Sequence, residues 1–207
     1  ARQMTDIYIV RHGNTFDTGD VITRVGARTD LPLSQSGRVQ AEALAMHFKD
    51  LVPNGFDMVF SSPLLRTRQT AEVILGGYDN PPDIRTLEFL REIDYGPDEN
   101  QPEESVIARI GEAAIEAWDK DAVPPPGWDV APDVLTMEWA SLLNTLSAPN
   151  SFPPVLIVTS NGIARFVLDA VTKMDCDPAS IKLKTGAYGL IRTFSTGATL
   201  LEWNVRP

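Results

Sequence analysis

Cysteine is almost absent from this chain: Cys176 is the only one in 207 residues. An intrachain disulfide and a cysteine-rich zinc site are therefore both excluded. Histidine is nearly as scarce, with His12 and His47 alone. Cations are outnumbered, 18 Lys and Arg against 28 Asp and Glu, for a formal net charge of −10. An acidic surface repels nucleic acid and anionic membrane, which argues against either as the main partner. A small anionic ligand stays compatible, because a few arginines make a pocket locally positive. No apolar stretch approaches transmembrane length, and the first residues lack a signal-peptide core. A free-thiol, cytoplasmic protein is the simplest expectation, with Ala1-Arg2-Gln3 as a processing remnant. Nothing in the sequence fixes an oligomeric state.

What is present is ordinary for a soluble globular protein: 43% apolar and 22% charged residues, at a length that suits one domain, 1–207, with a sizeable core. Short apolar runs at Asp6–Val10, Asp57–Phe60 and Val155–Val158 read as buried strands. Residues 14–35 lack a helical period and read as a long loop, a kind of segment that is often functional. Ser36–Lys49 is predicted helical, with Val39, Ala43, Leu44, Met46 and Phe48 as its apolar stripe. Ser62 is the expected N-cap of a helix that runs from Pro63 to about Leu75. Residues 76–104 are loop-rich, and the acidic tract Asp98–Glu104 reads as solvated surface. Helices are predicted over Ser105–Trp118 and Val134–Leu146, joined by a proline-rich connector, and after Asn161 to about Lys173. Tyr188–Phe194 and Thr199–Val205 are expected to form a hairpin.

Strands alternating with helices predict an α/β fold, a three-layer sandwich with a mostly parallel central sheet flanked by helices. Residues 97–150 are expected to form a small cap insertion. In such sheets the chemistry gathers at the C-terminal ends of the strands. Three of those ends carry polar signals here: Arg11-His12-Gly13, Ser61-Ser62-Pro63 and Thr159-Ser160-Asn161-Gly162. A neutral imidazole beside an arginine suits phosphate chemistry, the first as nucleophile and the second as a bidentate ligand. The tripeptide alone fits a partly buried histidine bonded to backbone equally well. Arg66, one turn after Pro63, supplies a second guanidinium near the same mouth. The loop Leu87–Gly96 brings carboxylates, one of which can protonate a leaving alcohol.

Four segments together resemble the histidine phosphatase superfamily, in its phosphoglycerate mutase-like branch. They are Arg11-His12-Gly13-Asn14-Thr15, the run from Thr29 to Ala41, Ser61-Ser62-Pro63-Leu64-Leu65-Arg66-Thr67-Arg68-Gln69-Thr70-Ala71, and Leu90-Arg91-Glu92-Ile93-Asp94-Tyr95-Gly96. With Val155–Phe166 they extend from residue 6 to about 170. The resemblance implies that His12 becomes phosphorylated, that Arg11 and Arg66 grip the phosphoryl group, and that Glu92 is the general acid and base. Asn14, Thr15, Ser160 and Asn161 fall at substrate-binding positions. It also implies a small phosphorylated molecule as partner and no metal or organic cofactor.

Two departures stand out. The family pattern V-[S/T]-H-G-x-x-x-R aligns with Val158-Thr159-Ser160-Asn161-Gly162-Ile163-Ala164-Arg165, so Ser160 stands at the position of a second histidine. His47, on its own helix, reads as an ordinary helix residue. Pro97-Asp98-Glu99-Asn100-Gln101 also lacks the basic segment associated with mutases, which favours hydrolysis. The expectation is a phosphomonoesterase, with a catalytically impaired phosphate-ester-binding protein as the alternative.

Overall fold

The computed structural model describes residues 4–147 and 154–207. Ala1-Arg2-Gln3 and the end of the expected cap, 148–150, lie outside the described residues. The chain runs β1 (Thr5–Arg11), α1 (Gln35–Leu51), β2 (Met58–Ser61), α2 (Leu65–Leu75) and β3 (Ile84–Thr86). It continues through α3 (Glu103–Ile110), α4 (Glu112–Asp121), α5 (Pro132–Leu146), β4 (Val155–Thr159), α6 (Asn161–Ala164), β5 (Lys173–Met174), β6 (Tyr188–Phe194) and β7 (Gly197–Val205). The seven strands form one sheet in the order β3-β2-β4-β1-β6-β7-β5. Pairing is parallel except where β6 meets β1 and β7, so the α/β architecture with a mostly parallel sheet is as expected.

Strand β4 lies between β1 and β2 and is buried at all five positions, as a continuous apolar run requires of a strand covered on both faces. Alternation along the central strands divides the core into two layers. Ile7, Ile9, Val155 and Ile157 face a cluster with Trp139, Leu143 and Phe166. Tyr8, Val10, Leu156 and Val158 face a second cluster, with Leu44 and Phe48 of α1 and Ala71 and Ile74 of α2. Each fully buried Val, Leu or Ile stabilises by roughly 1.5–3 kcal/mol, so the central strands hold a rigid frame for the loops at their ends.

Several expectations need correction. In α1 the buried stripe is Gly37, Ala41, Leu44 and Phe48, while Val39 and Met46 are 60% and 74% exposed. Helix α2 starts at Leu65, and Ser62 does not cap it. Ser62 Oγ accepts instead from Leu64 N at 3.2 Å, and Leu65 N donates to Asp30 Oδ1 at 2.7 Å, so the long loop caps this helix from a distance. The helix expected over 105–118 is two helices, broken at Gly111 with φ 84°, a conformation that glycine adopts without steric cost. The helix after Asn161 stops early, with a 3₁₀ turn over Arg165–Asp169. Beyond it Thr172 N and Asp175 N donate to Ala198 O and Leu200 O of β7, and the segment between them becomes the short edge strand β5. Among 76–104, Ile84–Thr86 pairs with β2 as β3.

The acidic tract is not all solvated surface. Asp98 and Glu99 are only 2% and 8% exposed. Asp98 accepts from Arg109 Nε at 2.8 Å and from Trp128 Nε1 at 2.8 Å. Glu99 accepts from Gly26 N at 3.0 Å and Tyr95 N at 3.2 Å, and from Thr29 Oγ1. Buried carboxylates satisfied by several donors are structural ties, and this one binds the long loop to the segment after Glu92. Sequence pattern misses it because two of its donors, Gly26 N and Thr29 Oγ1, are 70 or more residues away.

Candidate active site

Strand register brings the polar ends together. Arg11 is paired with Thr159 and Ser61 with Val158, so β1, β4 and β2 end side by side in the same direction. They open into a cleft of about 1160 Å³, lined at its floor by Arg11, His12, Arg66, Glu92 and Asn161. Its outer walls come from the loop after His12 and from α4, which contributes Ile115, Trp118 and Asp119.

His12 is 7% exposed, and its backbone N donates to Thr159 O at 3.2 Å. Its Nδ1 lies 2.6 Å from Gly13 O. A carbonyl only accepts, so Nδ1 carries the proton and the lone pair sits on Nε2. Burial, followed by the charges of Arg66 and Arg11, holds the imidazole pKa well below its usual value. The ring is therefore neutral at pH 7. The histidine is buried and bonded to backbone, and that bond leaves the Nε2 lone pair free.

Arg66 is 1% exposed and is clasped by the long loop, NH1 donating to Thr29 O at 2.8 Å and NH2 to Gly26 O at 3.2 Å. Arg11 is half-buried, NH1 donates to Leu183 O at 2.7 Å, and its buried Nε has no hydrogen-bond partner among the described residues. Burial lowers the pKa of both guanidiniums and the Glu92 carboxylate raises it. Both remain charged, since arginine starts far above neutrality. Thr70 Oγ1 accepts from Gly13 N at 3.3 Å and donates to Arg66 O at 2.8 Å, which links the histidine loop to α2.

Glu92 is 7% exposed; Oε1 accepts from Ile93 N at 2.9 Å and Oε2 from Gly162 N at 3.4 Å. A Cβ at residue 162 would stand 2.3 Å from Glu92 Oε1. Glycine at that position is thus what lets the carboxylate approach the start of α6. A second close crossing seats the histidine loop on α1: a Cβ at Gly13 would stand 2.4 Å from Gly37 O.

The remaining expected residues divide. Asn14 lines the cleft, but its amide is engaged, Nδ2 donating to Ser36 Oγ at 3.1 Å and Oδ1 accepting from Thr185 Oγ1 at 2.7 Å. Thr15 lines the cleft. Asn161 Oδ1 accepts from Leu183 N at 2.9 Å, which leaves its Nδ2 donors as the group available to the cleft. Ser160 is fully buried, lies outside the cleft lining, and its Oγ has no partner among the described residues. His47 is remote from this cluster, with Nε2 2.7 Å from Tyr188 OH.

One residue that sequence reasoning left without a role is Arg165. It is 2% exposed, with NH1 donating to Trp118 O at 2.6 Å and its guanidinium 4.1 Å from the Trp118 ring centroid. Its Nε donates to Asn161 O at 3.2 Å. A single side chain therefore ties α4 to the turn after β4. The spacing from Ser160 to Arg165, which fits the family pattern, is the signal in the sequence, but its partner on α4 is 47 residues away.

Among the described residues, no helix is long and apolar enough to cross a membrane, and no group of three or more His, Cys, Asp or Glu is arranged to hold a metal ion.

Known proteins place this arrangement in context. The fructose-2,6-bisphosphatase TIGAR B of Danio rerio is 37% identical over 121 residues, which span 58% of this chain and 45% of that protein. The probable phosphoglycerate mutase GpmB of Proteus mirabilis is 33% identical over 78% of this chain and 71% of its own. The native structure of a mycobacterial glucosyl-3-phosphoglycerate phosphatase superposes over 100% of both chains with a TM-score of 0.77 at 20% identity, a likeness of fold. The model of the histidine phosphatase superfamily (branch 1) matches residues 7–206, and the chain belongs to that superfamily.

Proposed function

We propose that this protein is a phosphomonoesterase that works through a phosphohistidine on His12. The observation that carries the reading is a neutral, Nε2-nucleophilic His12 flanked by Arg11 and Arg66, with the Glu92 carboxylate on the same cleft floor. Nε2 attacks phosphorus as the P–O ester bond breaks, and protonated Glu92 gives its proton to the leaving oxygen. Water then attacks the phosphohistidine, Glu92 takes its proton, and the P–N bond breaks to release inorganic phosphate. Arg11 and Arg66 neutralise the charge on the phosphoryl oxygens throughout. Asn14, Thr15 and Asn161 complete the phosphoryl pocket, with Asn161 Nδ2 as the side-chain donor best freed for it and Ser160 buried behind its lining. Helices α3 and α4 act as the cap of a single domain and shape the leaving-group side, while α5 packs in the core against the sheet. The reaction calls for no metal or organic cofactor.

Ser160 stands, on this reading, where the family pattern carries its second histidine. Losing one donor to the transition state typically costs roughly 100- to 1,000-fold, or ~2.7–4 kcal/mol. Phosphomonoester hydrolysis can be accelerated by up to ~10²¹-fold, so a slow enzyme is the expected result. Serine in place of that histidine favours a second reading, a module that binds phosphate esters without turnover.

The deciding experiment incubates the protein with a ³²P-labelled phosphoester and quenches in base. Label retained by wild type and absent from His12→Gln supports the enzyme. Saturable binding with equal background hydrolysis in both proteins sinks it in favour of the binding module. Ser160→His is expected to raise the rate.

A further inference from the structure

The floor and the outer wall of the cleft carry opposite charge. On the floor Arg11 and Arg66 outnumber Glu92. The outer wall holds the cations Arg24 and Lys182 against four carboxylates, Asp17, Asp20, Glu103 and Asp119. Both outer cations are already engaged. Arg24 NH2 donates to Glu103 Oε1 and Oε2 at 3.1 and 3.0 Å, and its guanidinium lies 5.0 Å from the Trp128 ring centroid. Lys182 Nζ lies 3.5 Å from Asp119 Oδ2. Asp17 and Asp20 have no cationic partner among the described residues; Asp17 accepts from Ser36 N and Gln35 N at 3.1 Å, and Asp20 accepts from Asp17 N at 2.7 Å. The rest of that wall includes Phe16, Ile22, Val39 and Ile115, side chains that offer an anion nothing.

Resting on the phosphatase reading of the floor, we infer that the substrate is a phosphomonoester whose leaving group carries no second negative charge, and that a cationic leaving group is favoured. Such a body places neutral or positive groups beside Asp17 and Asp20, while its one phosphate is neutralised at Arg11 and Arg66. A carboxylate or second phosphate meets a wall with two surplus negative charges. Arg24 and Lys182 each share their charge with a carboxylate, Glu103 and Asp119, so neither offers a second anion an unshared positive charge. Repulsion of this kind is a specificity device as effective as a new attraction.

O-phosphoethanolamine, glycerol 3-phosphate and phosphoglycolate test this directly, being small esters with a cationic, neutral and anionic body. Phosphate release by wild type and titration calorimetry on His12→Gln, which keeps a neutral side chain at residue 12, give two independent readouts. The expected order is phosphoethanolamine, then glycerol phosphate, then phosphoglycolate, with about tenfold between the extremes at low ionic strength. The gap narrows in salt, as exposed charges are screened. In Asp20→Asn combined with Glu103→Gln, phosphoglycolate improves severalfold and glycerol phosphate stays within about twofold. Phosphoglycolate handled as well as phosphoethanolamine, or binding of none of the three, overturns the inference. Binding in the expected order without hydrolysis upholds it and fails the phosphatase reading alone.

Discussion

The floor and the outer wall of the cleft are built in different ways. At the floor every group but Glu92, which comes from the loop after the edge strand β3, sits at or just after the end of a central strand, or in the first turn of the helix that follows. His12 follows β1, Arg66 lies in the first turn of α2, and Asn161 opens α6 directly after β4. Adjacent parallel strands fix these positions to the backbone ladder, so the functional side chains inherit the rigidity of the core. The outer wall is held by long-range side-chain ties instead: Arg24 to Glu103, Lys182 to Asp119, Glu99 to the backbone at Gly26, Arg165 to Trp118. On the proposed function, chemistry is placed on the frame that the strands determine, and selectivity on the parts that tertiary contacts assemble.

Arg66→Ala tests that division most strongly. A floor residue removed should lower kcat/KM by roughly 100- to 1,000-fold toward any phosphoester. It should also destabilise the chain by ~1–3 kcal/mol, because Thr29 O and Gly26 O lose their buried donors. Steady-state kinetics with chemical denaturation checks both. If the variant keeps wild-type turnover, the floor is not the reaction centre.

Gly162→Ala comes next. The new Cβ collides with Glu92 Oε1 and approaches Ile93 Cγ1 to 2.9 Å. Displacing the carboxylate should cut kcat about tenfold or more, with ~1–3 kcal/mol lost to overpacking. KM for a small ester should move little, since both arginines remain. A fall in KM-dependent binding at constant kcat would show that Glu92 acts in ground-state binding instead.

The smallest effect is a pH dependence of stability. Burial and the two guanidiniums depress the His12 pKa in the folded state relative to ~6.5 in the unfolded chain. The unfolded state therefore gains a proton as pH falls through ~6.5 while the folded state does not. Stability is lost below that pH at up to ~1.4 kcal/mol per unit until the folded pKa is reached. Urea denaturation at pH 7 and 5 should show a smaller acid loss in His12→Gln than in wild type, and an equal loss would mean that the imidazole is not depressed.

The unequal legibility of the two regions has a physical basis. Val155–Thr159 reads as a buried strand because four successive apolar residues, Val155–Val158, admit few alternatives in a parallel sheet. The polar residues that end it were legible for the same reason. The N-cap of α2 was not, because the acceptor for Leu65 N is Asp30, 35 residues away in a loop without periodicity. Gly111 splits α3 from α4 through a positive φ where the pattern alone allowed a continuous helix with a tolerated glycine. The buried Asp98 and Glu99 ran against their composition, since an acidic run is ordinarily solvated.

Sequence by itself determined the strand and helix succession, the polar strand ends and the residue types able to handle a phosphate, because local patterning and backbone geometry need no distant partner. Tertiary structure alone decided that Nε2 of His12 is the free nitrogen and that Glu92 packs against a glycine. It also decided that Asn14 is already bonded while Asn161 has donors to spare, and that Arg24 and Lys182 are paired before any ligand arrives. Each of those depends on which groups, far apart in the chain, come within hydrogen-bonding distance once the sheet has closed its register.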